Sequence, residues 1–203
     1  MKKHVVAGIC FCVVLWGSLA AADEANPQKI VRARIGIELR VGEESRLARK
    51  YERVLPGDMF RIYAIPEPDP AYLYVVYSDQ KTAERLNEPE RTQIPKDKAL
   101  VVPSPEELYE FDDSSPSVFI TVICSVAELP EIDALLNGQD PSHAKWVELE
   151  QQLIEKSKID LREVVLPSWE LAAAVRGVDF LEQLKISSGK LLVVKTYEFR
   201  VGR

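Results

Sequence analysis

Between Tyr72 and Tyr77 the chain reads Tyr-Leu-Tyr-Val-Val-Tyr, six residues without a charge, a Gly or a Pro. Side chains on a strand alternate between two faces, so Tyr72, Tyr74 and Val76 point one way and Leu73, Val75 and Tyr77 the other. A run that is apolar on both faces must be covered on both, which places it inside a packed sheet. The wider stretch Tyr51–Tyr77 carries a second aromatic-rich run, Met59–Ile65, opened by Pro56-Gly57-Asp58. The proline-spaced Pro66-Glu67-Pro68-Asp69-Pro70 separates the two runs. β-Branched and aromatic residues bounded by Pro, Gly and Asp predict strands.

Other segments repeat this texture. Val118–Ser125 is a second run apolar on both faces. Ile30–Val41 alternates strictly, with Val31, Ala33, Ile35, Ile37, Leu39 and Val41 on one side and Arg32, Arg34, Glu38 and Arg40 on the other. That pattern predicts a half-buried antiparallel strand with one wet face. Leu100–Val102 and Leu108–Phe111 read as short strands, and Lys190–Val201 as a closing strand docked into a sheet. Ser45–Tyr51 is polar and ambiguous between loop and strand. Thr82–Lys98 reads as a charged surface loop with a short extended piece near Thr92-Gln93-Ile94.

After about residue 128 the period changes. Pro130, Leu135-Leu136 and Asn137-Gly138 predict a short helix with a clear stop. Asp140 as cap and Pro141 at the first position open a stronger one. In it Trp146, Val147, Leu149, Leu153 and Ile154 form an apolar stripe opposite Glu148, Glu150, Glu155 and Lys156, so the stripe must pack on something, most simply the sheet. Ile159–Leu166 reads as extended, Ser168–Leu184 as helix-prone with a break at Gly177, and Ser187-Ser188-Gly189-Lys190 as a turn before the last strand. The expected fold is mainly β: an antiparallel β-sandwich or barrel-like core of about seven to nine strands, with one or two α-helices in the C-terminal third.

The N-terminus predicts a destination. Lys2-Lys3, the apolar run Val5–Trp16 and the small residues Ser18–Ala22 have the layout of a secretory signal peptide. Cleavage after Ala22, or after Ala20, leaves residues 23–203 as one β-rich domain: a core at about 31–135, a helical extension at about 128–184 and the closing strand at 190–201. The apolar run is short of the roughly 20 residues that a spanning helix needs, so no stable membrane insertion is expected after cleavage. Cys10 and Cys12 leave with the signal. Cys124 then stands alone in an apolar run, where it reads as a buried and inert thiol.

The search for chemistry finds little. With 32 acidic against 26 basic side chains, the chain lacks the basic surface that nucleic-acid backbones require. His143 is the one histidine past the signal, and at a helix start it reads as solvated. His-rich zinc sites are thereby excluded, no Cys-x-x-Cys or Gly-x-Ser-x-Gly motif occurs, and Ser188-Gly189-Lys190 lacks the spaced glycines of a phosphate loop. Asp112-Asp113 and Asp58 read as turn formers, with Asp58 satisfying backbone donors in its own turn. No catalytic residue, metal ligand or cofactor is expected. The candidate ligand-binding residues are Tyr63, Tyr72, Tyr74 and Tyr77, dense enough to build an aromatic platform, against the plainer reading that they fill the interior.

The Tyr-x(4)-Pro-Gly-Asp turn at Tyr51–Asp58, followed by Arg61-Ile62-Tyr63, Tyr72-Leu73-Tyr74-Val75, Ile94-Pro95 and Val118–Ile123, resembles a bacterial family known as a domain of unknown function. Its members are often appended to serine/threonine kinases, caspase-like peptidases or envelope secretion proteins. The resemblance covers roughly residues 31 to 135. The chain departs from it in having Ala71-Tyr72 where members often have Gly-Tyr, and in its longer helical tail with a closing strand. It implies a small, β-rich, non-catalytic module and supplies no active site. The resemblance leaves function open; the signal pattern, the core pattern and the missing chemistry together predict a non-enzymatic interaction module of the bacterial envelope, periplasmic or secreted, binding a protein, peptide or glycan. The alternatives are a carboxylate-based hydrolase of envelope polysaccharide and a structural or assembly subunit.

Overall fold

A computed structural model describes residues 30–67, 70–95, 98–159 and 183–202. The expected signal peptide, the extended run from residue 160 to 166 and the helix-prone segment from 168 to 182 lie outside the described residues.

Two sheets face each other. In the first, β1 (Ile30–Val41) pairs antiparallel with β4 (Met59–Pro66). β11 (Lys185–Lys190) and β2 (Glu44–Leu47) lie along the other edge of β1, and β8 (Leu100–Val102) and β9 (Tyr109–Glu110) along that of β4. The second sheet runs in the order β3 (Tyr51–Val54), β12 (Leu192–Val201), β10 (Ser117–Ser125), β5 (Ala71–Ser78), β6 (Ala83–Arg85), with β7 (Gln93–Ile94) also on β5. All pairs are antiparallel except β3 with β12. The fold is a mainly β sandwich, not a closed barrel, with two helices beyond residue 130.

The Tyr51–Tyr77 stretch crosses between the sheets twice. Pro56-Gly57-Asp58 carries the chain from β3 in the second sheet to β4 in the first. Gly57 has φ +92°, a conformation that side chains with a Cβ resist. Asp58 Oδ2 accepts the Leu55 N–H at 2.8 Å, so the aspartate does satisfy a donor of its own turn. Gly57 N and Phe111 O, and Phe111 N and Asp58 O, tie the turn to the chain after β9.

The inner faces form one core. Val31, Ala33, Ile35, Ile37 and Leu39 from β1 meet Leu73 and Val75, Val118, Ile120 and Val122, and Val193, Tyr197 and Phe199 across the gap. The strict alternation of β1 is realised there, but its other face is not wet throughout. Glu38 is 7 % exposed, and a Cβ on Gly36 would stand 2.5 Å from Leu184 and 2.9 Å from Leu47, because those two leucines cover the strand centre.

The outer faces of β5 and β10 are covered as their composition demands. Helices α1 (Pro130–Leu136) and α2 (His143–Ser157) lie on them, and Ile132, Trp146 and Leu153 pack with Tyr74, Val76 and Ile123 into a second core. Twelve strands form among the described residues, more than the expected number, because β2, β6, β7 and β11 arise in segments read as ambiguous, loop or turn. Ser187–Lys190 is the clearest correction. It pairs with Ile30–Ala33, and the chain reverses at Leu191 instead, at φ +65°. The start of α2 is another. Ser142, not Asp140, holds the cap position, since the Ala83 N–Pro141 O and His143 N–Lys81 O bonds hold the chain at residues 141 and 142 in extended form beside Thr82 and β6. No helix among the described residues is long and apolar enough to cross a membrane.

Burial of ionisable groups sets the alkaline limit of this fold. Cys124 is fully buried on β10, and its thiol is pushed up to about 12 from 9.0. Tyr197, on the inner face of β12, is likewise pushed up to about 12 from 10.0 by burial. The native protein keeps these protons after the unfolded chain has lost them, so the stability they contribute is intact below about pH 9 and is lost as pH rises towards 12. Denaturant midpoints are expected to be level from about pH 7 to 8.5 and to fall above pH 9. Cys124→Val removes the earlier part of that fall, about 2 kcal/mol at pH 10.5. An equally steep decline in the variant refutes the assignment.

Candidate functional site

The outer face of the second sheet is only partly covered by helix. Thr121 on β10 and Thr196 on β12 are cross-strand partners, and both hydroxyls donate to Glu150 Oε1 of α2, at 2.7 and 2.6 Å. This clamp fixes the middle of the helix on the sheet. On one side of it lies the second apolar core. On the other the sheet is open, and register dictates what it shows. Tyr51 pairs with Glu198, Glu198 with Phe119, and Phe119 with Ser78, so these four form a row across β3, β12, β10 and β5.

That row is the floor of a cleft of about 390 Å³, walled by His143, Val147, Glu150 and Ile154 of α2 and edged by Lys50. The imidazole of His143 stacks on Phe119, with centroids 5.3 Å apart and planes at 27°. Two polar atoms at the cleft are buried without a hydrogen-bond partner among the described residues: Ser78 Oγ and His143 Nδ1. A buried polar group without a partner costs roughly 1–3 kcal/mol, so both atoms count against stability at this spot.

The cleft continues along β3. A hollow of about 290 Å³ shares Tyr51 and Glu198 with it and adds Arg53 and Arg200. A further one, of about 340 Å³, shares those two arginines and adds Leu55 and Gly202. The result is a groove of mixed charge, with Glu150, Glu198 and Lys50 at the α2 end and Arg53, Arg200 and Glu52 at the other, Glu198 accepting from Arg200 Nε at 3.1 Å. Tyr51 and Leu55 flank it at 64 % and 53 % exposure, high for large apolar side chains and typical of surface that meets a partner.

The four tyrosines singled out from the sequence do not meet. Tyr63 lies on the outer face of the first sheet, where its hydroxyl donates to Glu38 Oε2 at 3.0 Å. Tyr72 and Tyr74 belong to the second core beneath the helices. Tyr74 is fully buried, its hydroxyl accepts the Leu129 N–H at 2.8 Å, and Arg85 lies over its ring. Tyr77 faces inward, against the main core. Three separate surfaces are involved, so no aromatic platform forms from these residues. The tyrosine on the groove is Tyr51, which the sequence marked only as the first residue of the Tyr-x(4)-Pro-Gly-Asp turn and not as a ligand contact. His143 also departs from expectation, half-buried against Phe119. No motif pointed to their meeting, because β3–β12–β10 pairing brings the row together from distant parts of the chain.

Among the described residues, no three His, Cys, Asp or Glu side chains cluster so as to hold a metal ion. Comparison of the chain with protein-family models, with curated proteins and with solved structures finds no match.

Proposed function

We propose that the protein is an exported, non-enzymatic binding module whose groove along β3 and β12 takes an extended peptide segment of an envelope partner. The carrying observation is the continuity of the groove from Phe119 and His143, past Tyr51 and Glu198, to Arg53, Arg200 and Leu55. From Tyr51 to Leu55 a strand rises about 13 Å, the length of roughly four extended residues of a ligand lying alongside. The lining carries both signs, Lys50 with Glu150 and Glu198, and Glu52 with Arg53 and Arg200, which favours a polar segment over a uniformly charged one. The Lys2-Lys3 and Val5–Trp16 pattern supports export, and the sequence's lack of a catalytic motif supports a binding role.

The test is selection from a randomised peptide display library, followed by calorimetry with the enriched peptide. Tyr51→Ala and Arg53→Glu are both on exposed positions. Each is expected to weaken binding by about 10-fold or more while leaving the denaturation midpoint unchanged. A library that yields no enriched sequence, or peptides that bind both variants as tightly as the parent, overturns the reading. One observation favours the hydrolase alternative: Glu150 and Glu198 line the same cleft. Both are engaged, however, Glu150 by two threonine hydroxyls and Glu198 by Arg200 Nε at 3.1 Å. Release of reducing ends from envelope polysaccharide, abolished by Glu150→Gln, would decide for that alternative.

A further inference from the structure

A second hollow lies between the two sheets, at an open end of the sandwich, and shares no residue with the groove. Its floor is aromatic. Phe60 of β4 stands 4.5 Å, centroid to centroid, from Phe111 and 5.3 Å from its cross-strand partner Tyr109. Tyr77 comes in from β5 on the opposite sheet. The hydroxyl of Tyr109 reaches the Leu86 carbonyl at 3.4 Å, so one ring spans the mouth from sheet to sheet. The enclosed space is about 230 Å³.

The rim is acidic. Glu84, the cross-strand partner of Tyr77, Glu110 and Asp112 line it, and no Lys, Arg or His does. Asp112 is committed to its own turn through Ser114, and Glu110, next to inward-facing Tyr109 on β9, turns to the other face of the sheet, which leaves Glu84, opposite Tyr77, as the carboxylate at the opening. The phenols register this field. Tyr77 and Tyr109 are both shifted upward, first by burial and then by nearby carboxylates, Asp79, Asp112 and Glu84 for the former, Glu84 and Glu107 for the latter. Arg91 opposes the effect at Tyr109, but its guanidinium is already held by the carbonyls of Val101 and Pro103, at 2.7 and 2.9 Å.

Ring faces and an acidic rim together select a cation, and the lining says which kind. A hard metal ion needs converging oxygens, and no such cluster exists among the described residues. A diffuse, weakly hydrated cation gains instead from the ring quadrupoles and needs carboxylates only at the edge. We propose that this mouth binds a small alkylammonium group, of the methylated type that aromatic cages hold. The group can arrive as a free solute or as the tip of a methylated lysine side chain, and the two sources differ in what surrounds it.

The experiment is an aromatic-carbon NMR titration of the full chain with tetramethylammonium chloride. Sodium chloride at matched ionic strength and the neutral tert-butanol serve as controls. Saturable shifts are expected at Tyr77 and Tyr109 with tetramethylammonium, with at least about 10-fold weaker response to tert-butanol and none to sodium. Glu84→Gln, at an exposed position, is expected to weaken binding about 5-fold with an unchanged denaturation midpoint, and Glu110→Gln to leave it as in the parent. Tyr109→Leu removes binding altogether. A tripeptide carrying trimethyllysine separates the sources: binding much tighter than tetramethylammonium indicates a partner side chain, and equal binding a free cation. Absence of saturation, identical shifts with sodium, or undiminished affinity in Glu84→Gln overturns the proposal. None of these readouts depends on the β3 groove being occupied.

Discussion

Trp146→Ala is expected to lower the free energy of unfolding by about 3–5 kcal/mol, the range for deleting a large buried aromatic side chain. Trp146 is 1 % exposed and sits where α2 meets the outer face of the second sheet, among Tyr74, Val76, Ile123 and Leu153. Little else anchors the helix. Leu153 is its one other fully buried side chain, and the Glu150 clamp depends on the helix lying flat. The main core between the sheets contains no residue of α2, so the variant should retain its β-sheet circular dichroism while losing protection along α2. Trp146→Phe is the informative partner. The indole Nε1 is buried without a partner, so phenylalanine gives up some contact area but also removes an unsatisfied donor. It is expected to cost less than about 1.5 kcal/mol. Urea denaturation of the three proteins, with amide exchange at α2, measures both effects. A loss below about 1 kcal/mol for the alanine variant would show that the helix is held by something other than this side chain.

The same residue marks how much of the fold was legible beforehand. Val118–Ser125 and Tyr72–Tyr77, apolar on both faces, required cover on both, and the Trp146–Leu153 stripe required a surface to lie on. Each demand was the answer to the other, and period alone exposed them. The strands that escaped notice have no such demand. Ala83–Arg85 is extended because β5 offers it an edge, and Lys185–Lys190 because β1 does, whereas Gln93–Ile94, read as a short extended piece, does pair with β5. Tertiary pairing overrides local composition in segments this short. The candidate site was less legible still. The tyrosine density between residues 63 and 77 suggested a platform only as the alternative to filling the interior, and strand geometry decides against the platform: odd and even positions of a strand point to opposite faces, and the proline-spaced linker sends β4 and β5 to different sheets. Four nearby tyrosines therefore had to part. Tyr51, Glu198, Phe119 and Ser78 meet through strand order, which no local pattern encodes.

The face of β1 expected to be wet supplies the other large effect. Glu38 and Arg61 are cross-strand partners, 7 % and 9 % exposed. Arg61 Nε lies 3.3 Å from Glu38 Oε2 but does not aim its N–H there. The guanidinium also donates to the Pro105 carbonyl. Removing one member of a buried pair strands the other charge, at a cost of roughly 3–5 kcal/mol, whereas removing both can be neutral or stabilising. The two single losses should not be equal here. Without Arg61, Glu38 keeps the Tyr63 hydroxyl at 3.0 Å and Arg40 at 3.9 Å. Without Glu38, Arg61 keeps a carbonyl and no carboxylate that the described residues show. Glu38→Leu is therefore expected to be the most damaging variant, Arg61→Leu milder by about 1 kcal/mol or more, and the double variant the closest to the parent. Because the pair is shielded from solvent, the order should persist at about 0.5 M salt, where exposed ion pairs fade. A complete mutant cycle by urea denaturation provides the numbers. Additive losses in the double variant would mean that the two side chains are stabilised separately, each by its own neighbours, and that the ion pair contributes nothing to holding β1 against β4.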